Sequence, residues 1–222
     1  MKSAAEHLPA RGGLLVCFAL REEAAPFRKN VVAGSAVSLL VTGVGKANAQ
    51  QRLRERLAAG TGDPACVLTG GFAGGLNPDL RLGEVLFETA DADLRGRLLL
   101  AGAKPALFFC ADRIATTVRE KQALRVQTGA DVVEMESGAI QAVCRERGLP
   151  CATVRVISDT AGEDLPLDFN ALAKPDKNLD FAKLFLAIAR SPGKIGALLE
   201  LRRKTGFAAR QLAAVLARVT SP

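Results

Sequence analysis

The chain has 222 residues, of which 49% are hydrophobic and 24% are charged, and its formal net charge is +7. This length and apolar content predict one α/β domain with a large core, while the lack of an apolar run of about 20 residues argues against a membrane span. The only histidine, His7, lies near the N-terminus, which argues against a Ser-His-Asp triad, a histidine-ligated metal and a histidine base.

The cysteines, the aromatic residues and the distribution of charge further limit the classes of protein to which this chain can belong. The five cysteines include no CxxC pair, so we expect reduced thiols in a cytoplasmic protein, with no metal and no cofactor. The chain contains neither Trp nor Tyr, which argues against nucleic acid as a partner. Seven of the 30 basic residues and one of the 23 acidic residues lie within residues 190–222, so this segment carries most of the net charge. Because the only histidine is His7, near the N-terminus, acid–base chemistry must rest on carboxylates, or on a lysine or cysteine with a shifted pKa.

Short apolar runs alternate with helical patterns along the chain. A helix is predicted to begin near Arg21, a second to run from Lys46 to about Ala59, and a third to span residues 133–147. This alternation predicts a three-layer α/β fold with a central twisted, mixed sheet flanked by helices, and a ligand site at the carboxyl ends of its strands. Strands are predicted at residues 14–20, 36–42, 65–69, 83–88, 106–110 and 153–158.

The predicted domain organisation has three parts. Residues 1–12 are expected to form a flexible N-terminal tail, residues 13–175 a catalytic domain, and residues 176–222 a helical, basic C-terminal extension. The extension carries two apolar helical stripes, which either pack on the body or, with the basic residues, contact an anionic membrane surface. The first stripe is Ile195, Leu198 and Leu199; the second is Ala208, Leu212, Val215, Leu216 and Val219.

A glycine-rich segment, residues 69–75, follows the third predicted strand. Glycines there allow a ligand to approach backbone N–H groups, although a plain tight turn explains them equally well. The segment matches neither GxGxxG nor a nucleotide-triphosphate loop, because Ala47 follows Lys46 where a magnesium-binding Ser or Thr would stand.

Carboxylates stand at three strand ends or helix starts. Glu22 and Glu23 follow the first strand, Glu134 and Glu136 open the predicted helix at residue 133, and Asp159 follows the last strand. Helix capping and dipole complementation explain each of them separately. Because the strand ends meet at one edge of such a sheet, together they predict an acidic pocket there.

These segments, in this order, resemble the nucleoside phosphorylase and nucleosidase superfamily, above all the methylthioadenosine/S-adenosylhomocysteine nucleosidases. The resemblance covers about residues 13–170. Asp112-Arg113, residues 120–124 and residues 190–202 are also similar to the hopanoid-associated phosphorylases, the branch to which removal of adenine from adenosylhopane is ascribed. The motifs that carry the resemblance are Glu23, the run at 42–46, the runs at 71–76 and 82–84, VEME at 133–136 and VRVISD at 154–159.

The resemblance implies a role for each site residue. Asp159 is the general acid at N7 of a leaving purine, Glu136 accepts hydrogen bonds from the ribose hydroxyls, and Glu23 is the base that activates water. Ser158 orients the Asp159 carboxyl, and Met135 packs on the sugar. Further substrate-binding residues implied are Glu134, Asp112, Gly74 and Phe72, with Arg21 for phosphate if phosphate is the nucleophile.

Several alternatives stay open. Thr69 and Phe72 stand where bacterial phosphorylases hold phosphate with Arg and Ser, which favours water as nucleophile. Arg113 and Ile114 stand where the nucleosidases carry a stacking Phe, and the short segment at residues 88–104 leaves room for a bulky 5′ substituent. The alternative hypotheses for the function are a methylthioadenosine/S-adenosylhomocysteine or futalosine-type nucleosidase, an inactive nucleoside-binding regulator, and a nucleic-acid-binding protein with a basic tail. The resemblance also implies a homodimer.

Overall fold

The computed structural model describes residues 12–31, 35–59, 63–172 and 192–220. The predicted tail, apart from Gly12, and the predicted boundary at residues 175 and 176 lie outside the described residues. The elements in chain order are β1 Gly12–Phe18, α1 Arg21–Asn30, β2 Val37–Val41, α2 Lys46–Ala58, β3 Pro64–Gly75, β4 Val85–Thr89, α3 Ala92–Leu100, β5 Lys104–Pro105, β6 Phe108–Cys110, α4 Val118–Thr128, β7 Val132–Glu134, α5 Ser137–Glu146, β8 Cys151–Asp159, α6 Phe169–Leu172 and, after a 3-10 turn at Pro192–Lys194, α7 Ile195–Thr220.

The eight strands form one mixed sheet in the order β2-β1-β3-β8-β4-β5, with β7 paired to the end of β3 and β6 paired to β7. The central pairs β1·β2, β1·β3 and β3·β8 are parallel, whereas β4·β8 and β3·β7 are antiparallel. The predicted mixed sheet is therefore confirmed. The carboxyl ends of β1, β2, β3 and β8 meet at one edge, as parallel pairing requires.

Helices cover both faces of the sheet, and β1 shows why. Its alternate residues point to opposite faces, as in any strand. Leu14, Val16 and Phe18 pack into a core with α1, α3 and α7, while Leu15 and Cys17 pack into a second core with α2 and α5. The predicted three-layer α/β fold is confirmed.

The glycine-rich segment belongs to a strand. The prediction ended the third strand at Thr69, but β3 continues to Gly75. Its glycines stay extended because β3 hydrogen-bonds to β8 along this stretch and then to β7, with a β-bulge between Ala73 and Gly74. Bulges of this kind commonly redirect side chains beside active sites.

The predicted helix at residues 133–147 is wrong at its start. Val132 and Val133 pair with β3 and with β6, so residues Val132–Glu134 form β7 and the helix α5 begins only at Ser137. Glu134 therefore ends a strand. The predicted stop at Gly148 is confirmed, since this glycine follows the helix with a φ of 61°.

The C-terminal helix α7 is a single helix of 26 residues with two different halves. The second predicted stripe is buried: Ala208, Leu212 and Leu216 are 0% exposed and share the core with β1 and α1. In the first half, Ile195 and Leu199 remain exposed. The second half of α7 is thus part of the hydrophobic core of the α/β domain. Among the described residues, no helix combines the length and apolarity that a bilayer crossing needs.

Candidate active site

One cavity of about 230 Å³ lies at the edge where the parallel strands end. Eight of the residues predicted from the sequence line it, and they come from α1, β3, β7, β8 and the turn before α5. The fold therefore brings together side chains that are up to 136 positions apart between Glu23 and Asp159. The eight are Glu23, Phe72, Gly74, Glu134, Met135, Glu136, Ser158 and Asp159.

Glu23 is fixed at the start of α1. Its Oε2 accepts the N–H of Leu20 at 2.9 Å and its Oε1 accepts the N–H of Phe72 at 2.9 Å. The same carboxylate caps the helix and lines the cavity. A Cβ at Gly71 would lie 3.0 Å from Oε1, so glycine at this position permits the approach. Burial raises the pKa of Glu23, as suits a proton acceptor at neutral pH.

Glu134 and Arg155 form a buried ion pair, with 2.7 Å between Nη2 and the carboxylate. Ser137 donates its hydroxyl to Glu134 at 2.5 Å, and Arg155 also donates to the carbonyl of Thr69 at 2.7 Å. Burial acts to raise the pKa of Glu134, but the charge of Arg155 and these hydrogen bonds hold it below its usual value. Glu134 is therefore a fixed anion. Arg155, its partner, was not predicted as a site residue.

Glu136 shares the same guanidinium less closely. Its Oε2 lies 3.5 Å from Arg155 Nη2, and its Oε1 accepts the N–H of Gly45 at 2.9 Å. Burial raises the pKa of Glu136 to about 7, and the neighbouring charges of Glu134 and Glu23 add to this against the opposing charge of Arg155. One guanidinium faces three buried carboxylates, so the most distant ones are left only partly compensated.

Asp159 ends β8 at the far side of the cavity. Its Oδ1 accepts the hydroxyl of Ser158 at 2.7 Å and its Oδ2 lies 2.6 Å from the Nζ of Lys121. A Cβ at Gly74 would come within 3.2 Å of Oδ2, so glycine at this position leaves room for the Asp159 carboxylate. Lys121 was not predicted as a site residue. The capping box formed by Thr117 and Glu120 marks the start of its helix, α4. The neighbouring sequence does not indicate that this lysine is buried.

Two predicted residues do not line the cavity, namely Asp112 and Arg21. Asp112 pairs with Lys46 at 2.8 Å and its side chain is 89% exposed, while Arg21 is exposed at the start of α1. Within the described ranges, no group of three or more His, Cys, Asp or Glu side chains is arranged to hold a metal ion. The cavity lining also includes residues that the sequence did not suggest as ligand contacts, among them Val44, Arg113, Ile114, Leu165, Phe169 and Leu201.

The chain is similar in sequence to known proteins. A family model described as the Phosphorylase superfamily matches residues 19–103 and 89–190. The chain is 29% identical over 177 residues to 5′-methylthioadenosine/S-adenosylhomocysteine nucleosidase from Marinomonas sp., covering 64% of this chain and 75% of that protein. It is 28% identical over 181 residues to the protein of the same name from Anoxybacillus flavithermus, covering 64% and 76%.

Solved structures share the fold. The nucleosidase of Neisseria meningitidis in complex with methylthio-immucillin-A superposes with a TM-score of 0.70 at 18% identity, over 94% of this chain and 98% of the other. Futalosine hydrolase of Helicobacter pylori superposes with a TM-score of 0.69 at 17% identity, over 94% and 97%. The family match spans most of the chain, and the chain therefore belongs to the phosphorylase superfamily.

Proposed function

We propose that this protein cleaves the N-glycosidic bond of a purine nucleoside, with water as the nucleophile. The observation that carries the proposal is the convergence of Glu23, Glu136 and Asp159 on one cavity. Each is more than nine-tenths buried, and hydrogen bonds or an ion pair fix each in place. An inactive nucleoside-binding regulator has no need of this set of oriented carboxylates.

The residues divide the reaction between them. Glu23 takes a proton from water as the water oxygen bonds to C1′ of the ribose. The electron pair of the C1′–N9 bond passes to the purine, whose N7 interacts with the Asp159 carboxyl. The carboxylate of Glu136 accepts hydrogen bonds from the ribose hydroxyls and favours the positive charge that develops on the sugar. Met135 supplies an apolar surface for the sugar.

Electrostatics favour water over phosphate. The buried carboxylates Glu23, Glu134 and Glu136 share the single guanidinium of Arg155, which leaves the site short of positive charge for an anion. Among the described residues at the cavity surface, Arg113 is the one basic side chain, and it pairs with Glu120 at 2.6 Å. Arg21, the predicted phosphate ligand, does not line the cavity.

The experiment that tests this function is direct. Purified protein is incubated with 5′-methylthioadenosine and with adenosine, and free adenine is quantified by chromatography. The proposal expects adenine to accumulate with time and with protein concentration. Tight binding of these nucleosides without release of adenine would contradict it and favour the regulator.

A nucleoside with an apolar 5′ substituent fits the surroundings of the cavity. Phe169 and Leu201 line both the cavity and an adjoining apolar groove of about 640 Å³ on α7. We propose that the substrate is a 5′-substituted adenosine, with adenosylhopane as the candidate that the motifs suggest. The alternatives are methylthioadenosine, S-adenosylhomocysteine and futalosine-type nucleosides, whose substituents are smaller or more polar. The groove is lined further by Ile195, Leu198, Leu199, Arg202 and Thr205.

A charge in the groove should discriminate between these substrates. We expect Leu198→Glu to raise KM for 5′-decylthioadenosine about tenfold or more, because each buried methylene contributes about 0.8 kcal/mol. KM for 5′-methylthioadenosine should stay within about twofold on the same argument. Ala58→Glu is the matched control, since Ala58 is exposed on α2 and does not line the groove. Equal effects on both nucleosides would contradict a role of the groove in binding the 5′ substituent.

Glu136→Gln should lower kcat and, at high pH, raise the free energy of unfolding. The pKa of Glu136 is about 7 in the fold and about 4.3 in an unfolded chain, so the protonated group stabilises the fold. That stabilisation is complete below about pH 4.3 and is lost as pH rises through about 7. At pH 8 we expect the variant to be more stable than the wild type by about 3 kcal/mol in urea unfolding, and at pH 4 nearly equal to it.

The same variant tests the ribose contact. A neutral amide accepts hydrogen bonds from the ribose hydroxyls less strongly, so preference for adenosine over 2′-deoxyadenosine should fall together with kcat. Glu146→Gln, an exposed residue of α5, is the control for both measurements. An unchanged ribose preference would remove Glu136 from this role.

The first half of α7 also offers a surface for an anionic membrane, which we propose as a second contact. Lys194, Arg202 and Arg203 stand beside exposed Ile195 and Leu199. Each basic residue near such a surface contributes about 1 kcal/mol. Removing the chain after residue 191 is unsuitable as a test, because the second half of α7 belongs to the core.

Point variants provide that test. We expect Lys194→Glu/Arg203→Glu to lower affinity for phosphatidylserine vesicles about tenfold or more at low salt and to leave cleavage of soluble 5′-methylthioadenosine unchanged, since neither residue lines the cavity or the groove. Arg145→Glu/Arg147→Glu, on exposed positions at the end of α5, is the control. Full-length protein that ignores these vesicles would contradict the membrane contact.

We further propose a homodimer. Leu99, Leu100, Leu107 and Val126 are large apolar side chains between 46% and 90% exposed, and such side chains are candidates for an interface. Sedimentation equilibrium should give twice the mass of 23.3 kDa, and a monomer at all concentrations would contradict the proposal.

A further inference from the structure

Lys121 is a charged side chain with no exposure to solvent. It lies on α4 and its Nζ makes three short contacts: 2.6 Å to Asp159 Oδ2, 2.7 Å to the carbonyl of Thr160 and 2.8 Å to the carbonyl of Glu163. Of these three partners, only Asp159 lines the cavity. Any influence of Lys121 on a bound ligand therefore passes through Asp159.

The contacts of Lys121 suit an ion pair. The three acceptors around Nζ match the three N–H donors of an ammonium, and the two carbonyl dipoles favour its positive charge. The Asp159 oxygen that faces this ammonium is then a carboxylate oxygen, and the other oxygen already accepts the hydroxyl of Ser158. In such an ion pair, the proton that the two groups share is carried by Lys121.

This charge state matters for a departing purine. When the C1′–N9 bond breaks, its electron pair leaves with the base, and N7 becomes basic enough to take up a proton. An ionised Asp159 has no proton of its own to give. The proton must therefore reach Asp159 from another group, and the Lys121 ammonium is in direct contact with its carboxylate.

We propose that Lys121 supplies, through Asp159, the proton that the departing purine takes up; the inference rests on the proposed function. One proton passes from the Lys121 ammonium to the Asp159 carboxylate, and the resulting carboxyl passes it to N7 as the C1′–N9 pair moves to the base. Asp159 ends as a carboxylate and Lys121 as a neutral amine. The proton that Glu23 has taken from water returns to solvent, and Lys121 regains one from solvent through Asp159 after the base leaves.

The surroundings of Lys121 suit both states of this cycle. A neutral amine keeps two N–H donors, and the carbonyls of Thr160 and Glu163 are two acceptors. The third position, toward Asp159, is the one that loses its proton. Lys121 is thus a positioning residue for Asp159 that also holds the proton in reserve.

The test compares a poor and a good leaving group in Lys121→Met and Lys121→Gln. Adenosine needs protonation of its base more than 6-chloropurine riboside does, because the electron-withdrawing chlorine makes that base a better leaving group. We expect kcat for adenosine to fall about 10²-fold, in line with general acid catalysis, and kcat for the chloro substrate to fall much less. Arg125→Met is the control, on the same helix one turn later, where it breaks an ion pair with Asp131 outside the cavity. An equal loss for both substrates would mean that Lys121 has only a structural role and would overturn the proposal.

A double-variant cycle provides the second readout. If Lys121 acts through Asp159, then Asp159→Asn/Lys121→Met should cleave adenosine no more slowly than Asp159→Asn alone. The double variant also removes both buried charges, so it remains informative if Lys121→Met alone does not fold. A further loss in the double variant would overturn the proton role while leaving the proposed function intact. Wild-type protein that releases no base from either nucleoside would overturn both.

Discussion

Replacing Asp159 with asparagine should lower kcat for adenosine about 10²-fold or more, because an amide cannot pass a proton to the purine. Asp159 is 8% exposed, ends β8 at the cavity and contacts both Ser158 and Lys121. The effect should be in kcat, since the interaction with N7 strengthens only as the bond breaks. Steady-state kinetics with chromatographic detection of adenine measures it.

The fold of this variant must be checked in parallel. Breaking a buried ion pair typically costs about 3–5 kcal/mol, and Asp159→Asn leaves the Lys121 ammonium without a counter-charge. Assays therefore run well below the unfolding midpoint found by circular dichroism. Asp79→Asn, on an exposed turn, is the matched control. A folded Asp159→Asn with near-normal kcat would remove Asp159 from acid catalysis.

Glu23→Gln is expected to lower kcat by about 10²–10⁴-fold, because the group that takes the proton from water is lost. The amide also has only one acceptor oxygen, so either Leu20 or Phe72 loses the partner of its N–H. The loss should be smaller when hydroxide supplies the nucleophile, so the difference between variant and wild type should narrow as pH rises. A pH profile of kcat from pH 6 to 10 measures this.

Glu22→Gln is a close control for that experiment. The two glutamates are neighbours in the first turn of α1, but Glu22 is exposed whereas Glu23 is 4% exposed. Glu22→Gln should retain the wild-type rate. If both variants behave alike, the capping function alone explains Glu23, and another group activates water.

Much of the fold could be predicted because the strands of the sheet centre are long and apolar. β1 and β8 are nearly continuous buried runs, as strands covered on both faces are. β7 could not be distinguished from the first turn of the next helix, since three residues carry no periodicity and only pairing with β3 and β6 makes them a strand. The prediction ended β3 too early because glycine has a low propensity for strands. In the structure, hydrogen bonding to β8 keeps these glycines in the strand despite that propensity.

The site shows the same division between local and distant signals. Glu23, Glu136 and Asp159 could be predicted to share one pocket because each stands at a strand end or helix start within a recognisable motif, and all three line the cavity. Arg155 and Lys121 could not be placed, because their roles depend on partners 21 and 38 residues away. Both are ordinary basic residues in sequence and buried counter-charges in the fold. Compensation of a buried acidic site is a property of the tertiary structure.

The identity of the sugar product distinguishes hydrolysis from phosphorolysis. The protein is freed of phosphate by dialysis and incubated with adenosine, and the products are identified by chromatography and mass spectrometry. Hydrolysis predicts adenine and free ribose in equal amounts, at a rate that added phosphate does not raise. Formation of ribose 1-phosphate, or a rate that rises and saturates with phosphate, would contradict the account.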